Sequence, residues 1–229
     1  MLDHNKDAID IWNIDITAKS VNTGALLCKL CPSELLQVES IRHPQQQHRF
    51  TISHAAMRDI LSRYSNMPAA DIPITRDQHG KPRLDHLYFN LSHSRDQALL
   101  AVCNNREIGI DIEYINQKRK ILGIAQRFFS AQEFIWLQSQ QPSQQIETFF
   151  HIWCMKEAYL KGIGLGLKGG LSSLIIDDAS MHRVLTVNKD NGDPWCIELI
   201  DVPEGYTAAV AYTGDSATIN RYQWEPDQQ

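Results

Sequence analysis

Two stretches of the chain repeat one pattern at a fixed offset of 98 residues. Asn13-Ile14-Asp15 lies over Asp111-Ile112-Glu113, Met57-Arg58-Asp59 over Met155-Lys156-Glu157, and Arg63 over Lys161. The first match joins two strand-like runs and the second two long helical runs. Identities are few, and coincidence is the competing explanation. Taken as real, the match divides the 229 residues into two related halves, 1–104 and 105–229. A cleft between such halves is a common place for a ligand site.

The pattern along the chain fills in both halves. Ile9–Ile16 reads as a strand, Pro32-Ser33-Glu34 opens a short helix, and Gln46–Tyr64 carries a helical apolar stripe of Phe50, Met57, Leu61 and Tyr64. Leu87, Phe89 and Leu91 alternate as a strand, "SHSRD" turns the chain, and Gln97–Cys103 returns. Ile121–Phe129 looks helical, and Ser130-Ala-Gln-Glu133 reads as a capping box for the next helix. "QSQQPSQQ" reads as a polar loop, Thr148–Lys161 as a helix ending at Gly162, and "GIGLGLKGG" as too glycine-rich for regular structure. Strands are expected at Trp195–Ile200, Tyr206–Tyr212 and Ile219–Trp224. Strands and helices mix without a βαβ rhythm, which favours α+β.

Composition narrows the function. A net charge of −5 argues against a general nucleic-acid binder, which needs a basic face. With no leading apolar segment and no apolar run long enough to span a bilayer, no membrane role and a cytoplasmic location are expected. The five scattered cysteines make no disulfide framework, and Cys28-Lys-Leu-Cys31 lacks the second pair that a zinc knuckle needs.

"GIDIEYI", Gly109–Ile115, carries two acids in an apolar strand. Ile110 and Ile112 share one face and Asp111 and Glu113 the other. Neighbouring carboxylates repel unless a positive group lies between them. An exposed edge strand is one answer and a divalent cation is another. "WCMKEAYLK", Trp153–Lys161, places Trp153, Lys156, Glu157 and Lys161 along one side of a helix. Alone, Glu157 and Lys161 read as an ordinary i,i+4 ion pair. Beside Asp111 and Glu113, Glu157 becomes the third acid of a magnesium site, and the lysines suit an anionic substrate. "GKP", Gly80–Pro82, and "NLSHS", Asn90–Ser94, offer turn amides, hydroxyls, a lysine and an imidazole to an anion, though such groups are often only solvated. The G-x-x-x-x-G-K-[ST] and G-x-G-x-x-G nucleotide signatures are missing.

In this order, "GKP", "NLSHS", "GIDIE", "FF-S-x-x-E" and "W-x-x-KEA-x-x-K" resemble the phosphopantetheinyl transferases of the larger, single-chain type, the kind that activates surfactin synthetase. The resemblance runs from Arg49 to Lys168. It implies an α+β, sandwich-like fold of two similar halves related by a pseudo-twofold, each a small sheet packed on a long helix. It implies coenzyme A as donor, an apo acyl, polyketide or peptidyl carrier protein as acceptor, and magnesium (or manganese) as metal, in a monomeric enzyme. By position, Asp111, Glu113 and Glu157 would hold the metal, Glu157 would also act as base, and Lys161 would contact the transferred phosphate. Arg49, Gly80, Lys81, Asn90, Ser92, His93 and Lys156 would serve coenzyme A. One departure is the thin basic complement before Arg49, where only Arg42, His43 and His48 stand by to meet the ribose phosphate. The carrier would dock along Ile115–Leu137, where Lys118, Arg119, Lys120 and Arg127 would meet acids and Phe128 and Phe129 are either contacts or core. A module that binds without turnover, and a magnesium-dependent phosphohydrolase, are the alternatives.

Overall fold

The structure, a computed structural model, describes residues 7–17, 22–166, 174–176, 185–187 and 194–226. In chain order the elements are β1 (Ile9–Asp15), α1 (Thr23–Leu26), α2 (Pro32–Ser40), α3 (Pro44–Ser65), β2 (Thr75–Arg76), β3 (Pro82–Arg83), β4 (Tyr88–Ser94), β5 (Gln97–Cys103) and β6 (Ile108–Tyr114). Then follow α4 (Ile121–Phe128), α5 (Ala131–Ser139), α6 (Pro142–Gly162), β7 (Leu185–Val187), β8 (Trp195–Ile200), β9 (Tyr206–Thr213) and β10 (Ile219–Gln223). Most expected elements are present, and the mixture is α+β. The last four residues of "GIGLGLKGG", from Leu167 onward and including Lys168, lie outside the described residues.

Two four-stranded sheets form, in the orders β10-β1-β5-β4 and β6-β9-β8-β7. β1, β5, β8 and β9 split their side chains between two layers, as the alternation of a pleated strand requires. Trp12, Ile14, Leu100 and Val102 face α3, with Ile52, Ala56, Ile60 and Leu61 opposite them. Ala209, Ala211, Trp195 and Ile197 face α6, against Phe149, Met155 and Ala158. Ile9, Ile11, Leu99, Ile110, Ile112, Ala208 and Val210 fill a third core between the sheets. The layers therefore run helix, sheet, sheet, helix.

The matched elements begin and end nearly in register. The helix that starts at Pro44 is repeated 98 residues later by the one that starts at Pro142, each with proline in its first turn. The sequence expects α6 only from Thr148, with a polar loop before it. In the structure that loop shrinks to Gln140–Gln141, because Pro142 is an acceptable opening residue and the glutamines are good helix formers. Division at residue 104 separates the sheets for most of the chain. The exception is β10, which returns to pair in parallel with β1 and brings Trp224 Nε1 within 2.8 Å of Asp59 Oδ2 on α3.

Candidate active site

Gly109 sets the geometry. A Cβ at that position would lie 2.1 Å from the Ala158 carbonyl oxygen and 2.3 Å from the Gly162 nitrogen, so β6 approaches the end of α6 more closely than any side chain permits. The residues that alternate with it, Asp111 and Glu113, therefore face the last turns of α6, while Ile110 and Ile112 enter the inter-sheet core. Glu157 and Lys161 stand one turn apart on that part of α6. Lys161 Nζ donates to Asp111 Oδ1 at 2.6 Å and to Ser92 Oγ at 2.8 Å. The other oxygen, Asp111 Oδ2, accepts from the buried Cys154 thiol at 3.3 Å.

The acids disturb one another. Burial, then the charge of Asp111, raise Glu157 to about 7, against a smaller opposing effect of Lys161. Burial and Asp111 likewise raise Glu113. Burial disfavours the Lys161 ammonium, but Asp111 and Glu157 outweigh it and hold its pKa above the usual lysine value. Three mutually repelling carboxylates are hard oxygen donors, and their chemistry fits a divalent cation that keeps several waters. Among the described residues no three His, Cys, Asp or Glu side chains are already gathered as a metal cage, and Lys161 is the ion-pair partner of Asp111. Asp111, Glu113 and Glu157 are thus the residues that would hold a cation, after Lys161 yields its place beside Asp111.

The "NLSHS" stretch differs from the sequence expectation. It does not turn at Ser92. β4 continues to Ser94, with Ser92, His93 and Ser94 paired to Leu99, Ala98 and Gln97 of β5. Arg95, at φ 51°, and Asp96 make the tight turn. The amides expected to form a turn thus belong to a sheet ladder. Asn90, Ser92 and Ser94 point toward β6, while His93 points to the face that carries Leu91 toward α3. His93 is exposed, and its pKa is lowered by the desolvating surroundings and by the nearby charges of Lys161, His54 and Arg49. Lys161 and Arg49 are the permanent cations beside His93. Arg49 lies 3.8 Å from Asp96 and, with His48, Pro44 and Thr17, lines an open pocket of 380 Å³.

Two lysines have other partners. All three donors of Lys81 Nζ are engaged, by Glu107 Oε2 at 2.9 Å, the Ile108 carbonyl at 3.0 Å and the Gly162 carbonyl at 2.5 Å. Gly80, at φ 87°, supplies the turn that brings Lys81 there. Lys156 is fully enclosed and paired at 2.8 Å with Glu133, itself fully buried. Its ammonium also donates to the Leu174 carbonyl. Lys156 therefore faces the interior of the second half, away from Glu157 and Lys161, because one helix turn cannot present neighbouring residues to one side. Glu133 both completes the capping box with Ser130 and accepts from the Ile176 amide at 2.7 Å. Phe129 is core, stacked on Phe149 at 5.3 Å between centroids, whereas Phe128 is half-buried against Trp153. Lys118, Arg119, Lys120 and Arg127 are exposed.

Sequence reasoning overlooked Gly109 and Cys154 as parts of this site, and offered the Ser94 hydroxyl to an anion, not to Glu113. For Gly109 the signal was present, since a glycine inside a strand marks a close backbone approach. Cys154 had no signal, because its contact with Asp111 depends on the angle between β6 and α6.

The chain is similar in sequence to known proteins. A sequence model of the 4'-phosphopantetheinyl transferase superfamily matches residues 107–211, which contain the acids of β6 and those of α6. The 4'-phosphopantetheinyl transferase HetI of Nostoc is 29% identical over 96% of this chain and 91% of its own. The enzyme Sfp of Bacillus subtilis is 31% identical over 79% of this chain and 81% of its own. The gsp protein of Aneurinibacillus migulanus is 32% identical over 75% and 71%. With such coverage, the chain belongs to the 4'-phosphopantetheinyl transferase family.

Proposed function

We propose that this transferase moves the 4'-phosphopantetheine arm of coenzyme A onto a serine of an apo carrier protein, with magnesium, and releases adenosine 3',5'-bisphosphate. The observation that carries the reading is the Gly109 approach, which sets Asp111 and Glu113 against Glu157 and Lys161. Phosphoryl transfer depends chiefly on positioning and charge neutralisation. When bound by Asp111, Glu113 and Glu157, magnesium would neutralise the pyrophosphate of the donor. The carrier serine oxygen attacks the phosphorus that bears the pantetheine arm. The bond from that phosphorus to the adenosine-side oxygen breaks, and the serine proton passes to a Glu157 oxygen. The Glu157 carboxylate would accept that proton as the bond from serine oxygen to phosphorus forms. Lys161 leaves Asp111 and Ser92 to meet the transferred phosphate, and Arg49 and His93 meet the other phosphates of the donor.

On this reading the half from 1 to 104 supplies donor contacts, and the half from 105 to 229 supplies the acids and the base. The exposed cations Lys118, Arg119, Lys120 and Arg127 would receive the acidic helix of a carrier. We expect a monomer acting in the cytoplasm; no helix among the described residues is long and apolar enough to cross a membrane. Chromatography of the nucleotide product tests the proposal. Adenosine 3',5'-bisphosphate is expected only when coenzyme A and an apo carrier are both present. Release from coenzyme A alone would instead identify a phosphohydrolase.

A further inference from the structure

The site contains a joint whose chemistry matches residue for residue. β4 is an edge of the first sheet and β6 an edge of the second. Alternate residues of an edge strand turn their N–H groups outward, and such donors are costly to leave unpaired when buried. Here the amides of Ile110, Ile112 and Tyr114 donate to side chains of β4. Their acceptors are Asn90 Oδ1 at 2.9 Å, Ser92 Oγ at 3.3 Å and Ser94 Oγ at 3.0 Å. The two strands thus run in the same direction, bridged by side chains at every second residue.

A serine hydroxyl that accepts an amide still has its own proton to donate. Ser92 donates to Asp111 Oδ1 at 3.0 Å, and Ser94 donates to Glu113 Oε2 at 3.1 Å. In each case the acid is the residue just before the amide. At the remaining rung the residue just before the amide is Gly109, which has no side chain to hold, and there β4 offers Asn90 instead of a hydroxyl. Hydroxyls thus stand where there is an acid. Glu113 is the longer and less buried of the two acids on β6, so it has more rotamer freedom to lose.

We propose that Ser94 is a positioning residue: its hydroxyl, fixed by the Tyr114 amide, holds Glu113 in the orientation in which it takes the divalent cation. The proposal rests on the metal reading of the acids given above. Hydrogen bonds of this kind behind a metal ligand are commonly worth about 10- to 100-fold in metal affinity.

Manganese binding to the free protein, followed by electron paramagnetic resonance, tests it with Ser94→Ala and Ser94→Thr. Ser94→Ala is expected to weaken manganese binding about tenfold. It should raise the magnesium concentration for half-maximal turnover by a similar factor, with KM for coenzyme A at saturating metal little changed. Ser94→Thr, which keeps the hydroxyl, should restore both. Hydrogen exchange over 108–114 reports the joint separately. If Ser94→Ala speeds that exchange but binds manganese like the wild type, the hydroxyl is merely structural and the proposal is overturned. If the wild type binds no manganese, the metal reading itself fails and this proposal falls with it. Should Ser94→Ala not fold, Ser94→Cys, a weaker donor, replaces it with the same expectations.

Discussion

Glu157 and Lys161 show how much one neighbour changes a residue pair. Their counterparts in the first half, Asp59 and Arg63, form a 2.9 Å i,i+4 ion pair. Asp59 also accepts from Trp224 and Lys29, so that carboxylate is a structural anchor, held below its ordinary pKa by these partners in spite of burial. In the second half, Lys161 turns instead to Asp111, and Glu157 is raised to about 7. Glu157→Gln is therefore expected to lower kcat by about 10²- to 10⁴-fold, the usual loss for a removed general base. The dissociation constant for coenzyme A should change much less; a variant with normal kcat would remove Glu157 from the base role. Lys156, one residue away, belongs to another environment. Its pairing with Glu133 predicts that Lys156→Ala costs about 3–5 kcal/mol in denaturant unfolding, because a buried Glu133 loses its partner. The fraction that remains folded should bind coenzyme A like the wild type. A variant of normal stability with weakened coenzyme A binding would return Lys156 to the donor site.

Between elements, contact distance rather than residue type decides what the site can be. β6 reaches α6 because Gly109 has no side chain, whereas Gly162 makes room for β8: a Cβ there would meet the Trp195 ring at 2.4 Å. Gly109→Ala is expected to separate β6 from α6, costing about 3 kcal/mol or more as for other overpacked core sites. Metal-dependent turnover should fall with stability, since the acids move away from Glu157. Wild-type melting and activity in that variant would contradict this account of the site. The α2–α3 brace makes a pH prediction. Burial would raise Glu34, but hydrogen bonds from His54 and the Cys31 amide, with the Arg58 charge, hold it at about 2 instead of 4.5. A carboxylate depressed in the folded state stabilises fully above its unfolded pKa and loses that contribution as pH falls through the folded value. Stability should thus decline from about pH 4.5 toward pH 2, and a shift of this size corresponds to about 3 kcal/mol at neutral pH. Glu34→Gln should remove that portion of the acid limb in denaturant curves measured against pH. An unchanged acid limb would show that the brace is not formed.

Across the whole molecule, periodicity made the layers legible. The strand alternation of "GIDIEYI" and the stripe of α3 identify which faces are buried, and the offset of 98 residues matches two long helices, whose openings at Pro44 and Pro142 local pattern did not reveal. What local pattern could not contain was pairing between distant segments. The sequence leaves open whether β4, β5 and β6 form one meander or part at Asn104. In the structure they part there, and "NLSHS" meets "GIDIE" through side chains across two sheet edges. β10 joining β1, and Lys81 reaching the end of α6, are contacts of the same long-range kind. Lys81 and Lys156 were legible as cations but not as buried ones, since burial is a property of the surrounding layers. The arrangement as a whole gives the claim that the acids of β6 and α6 act together on one donor with a divalent cation. Intact-mass spectrometry of apo carrier proteins, incubated with this protein, coenzyme A and magnesium, with and without EDTA, tests it most directly. The account predicts a mass gain of one phosphopantetheine arm that EDTA abolishes. No gain on any carrier, or a gain that persists in EDTA, would contradict it.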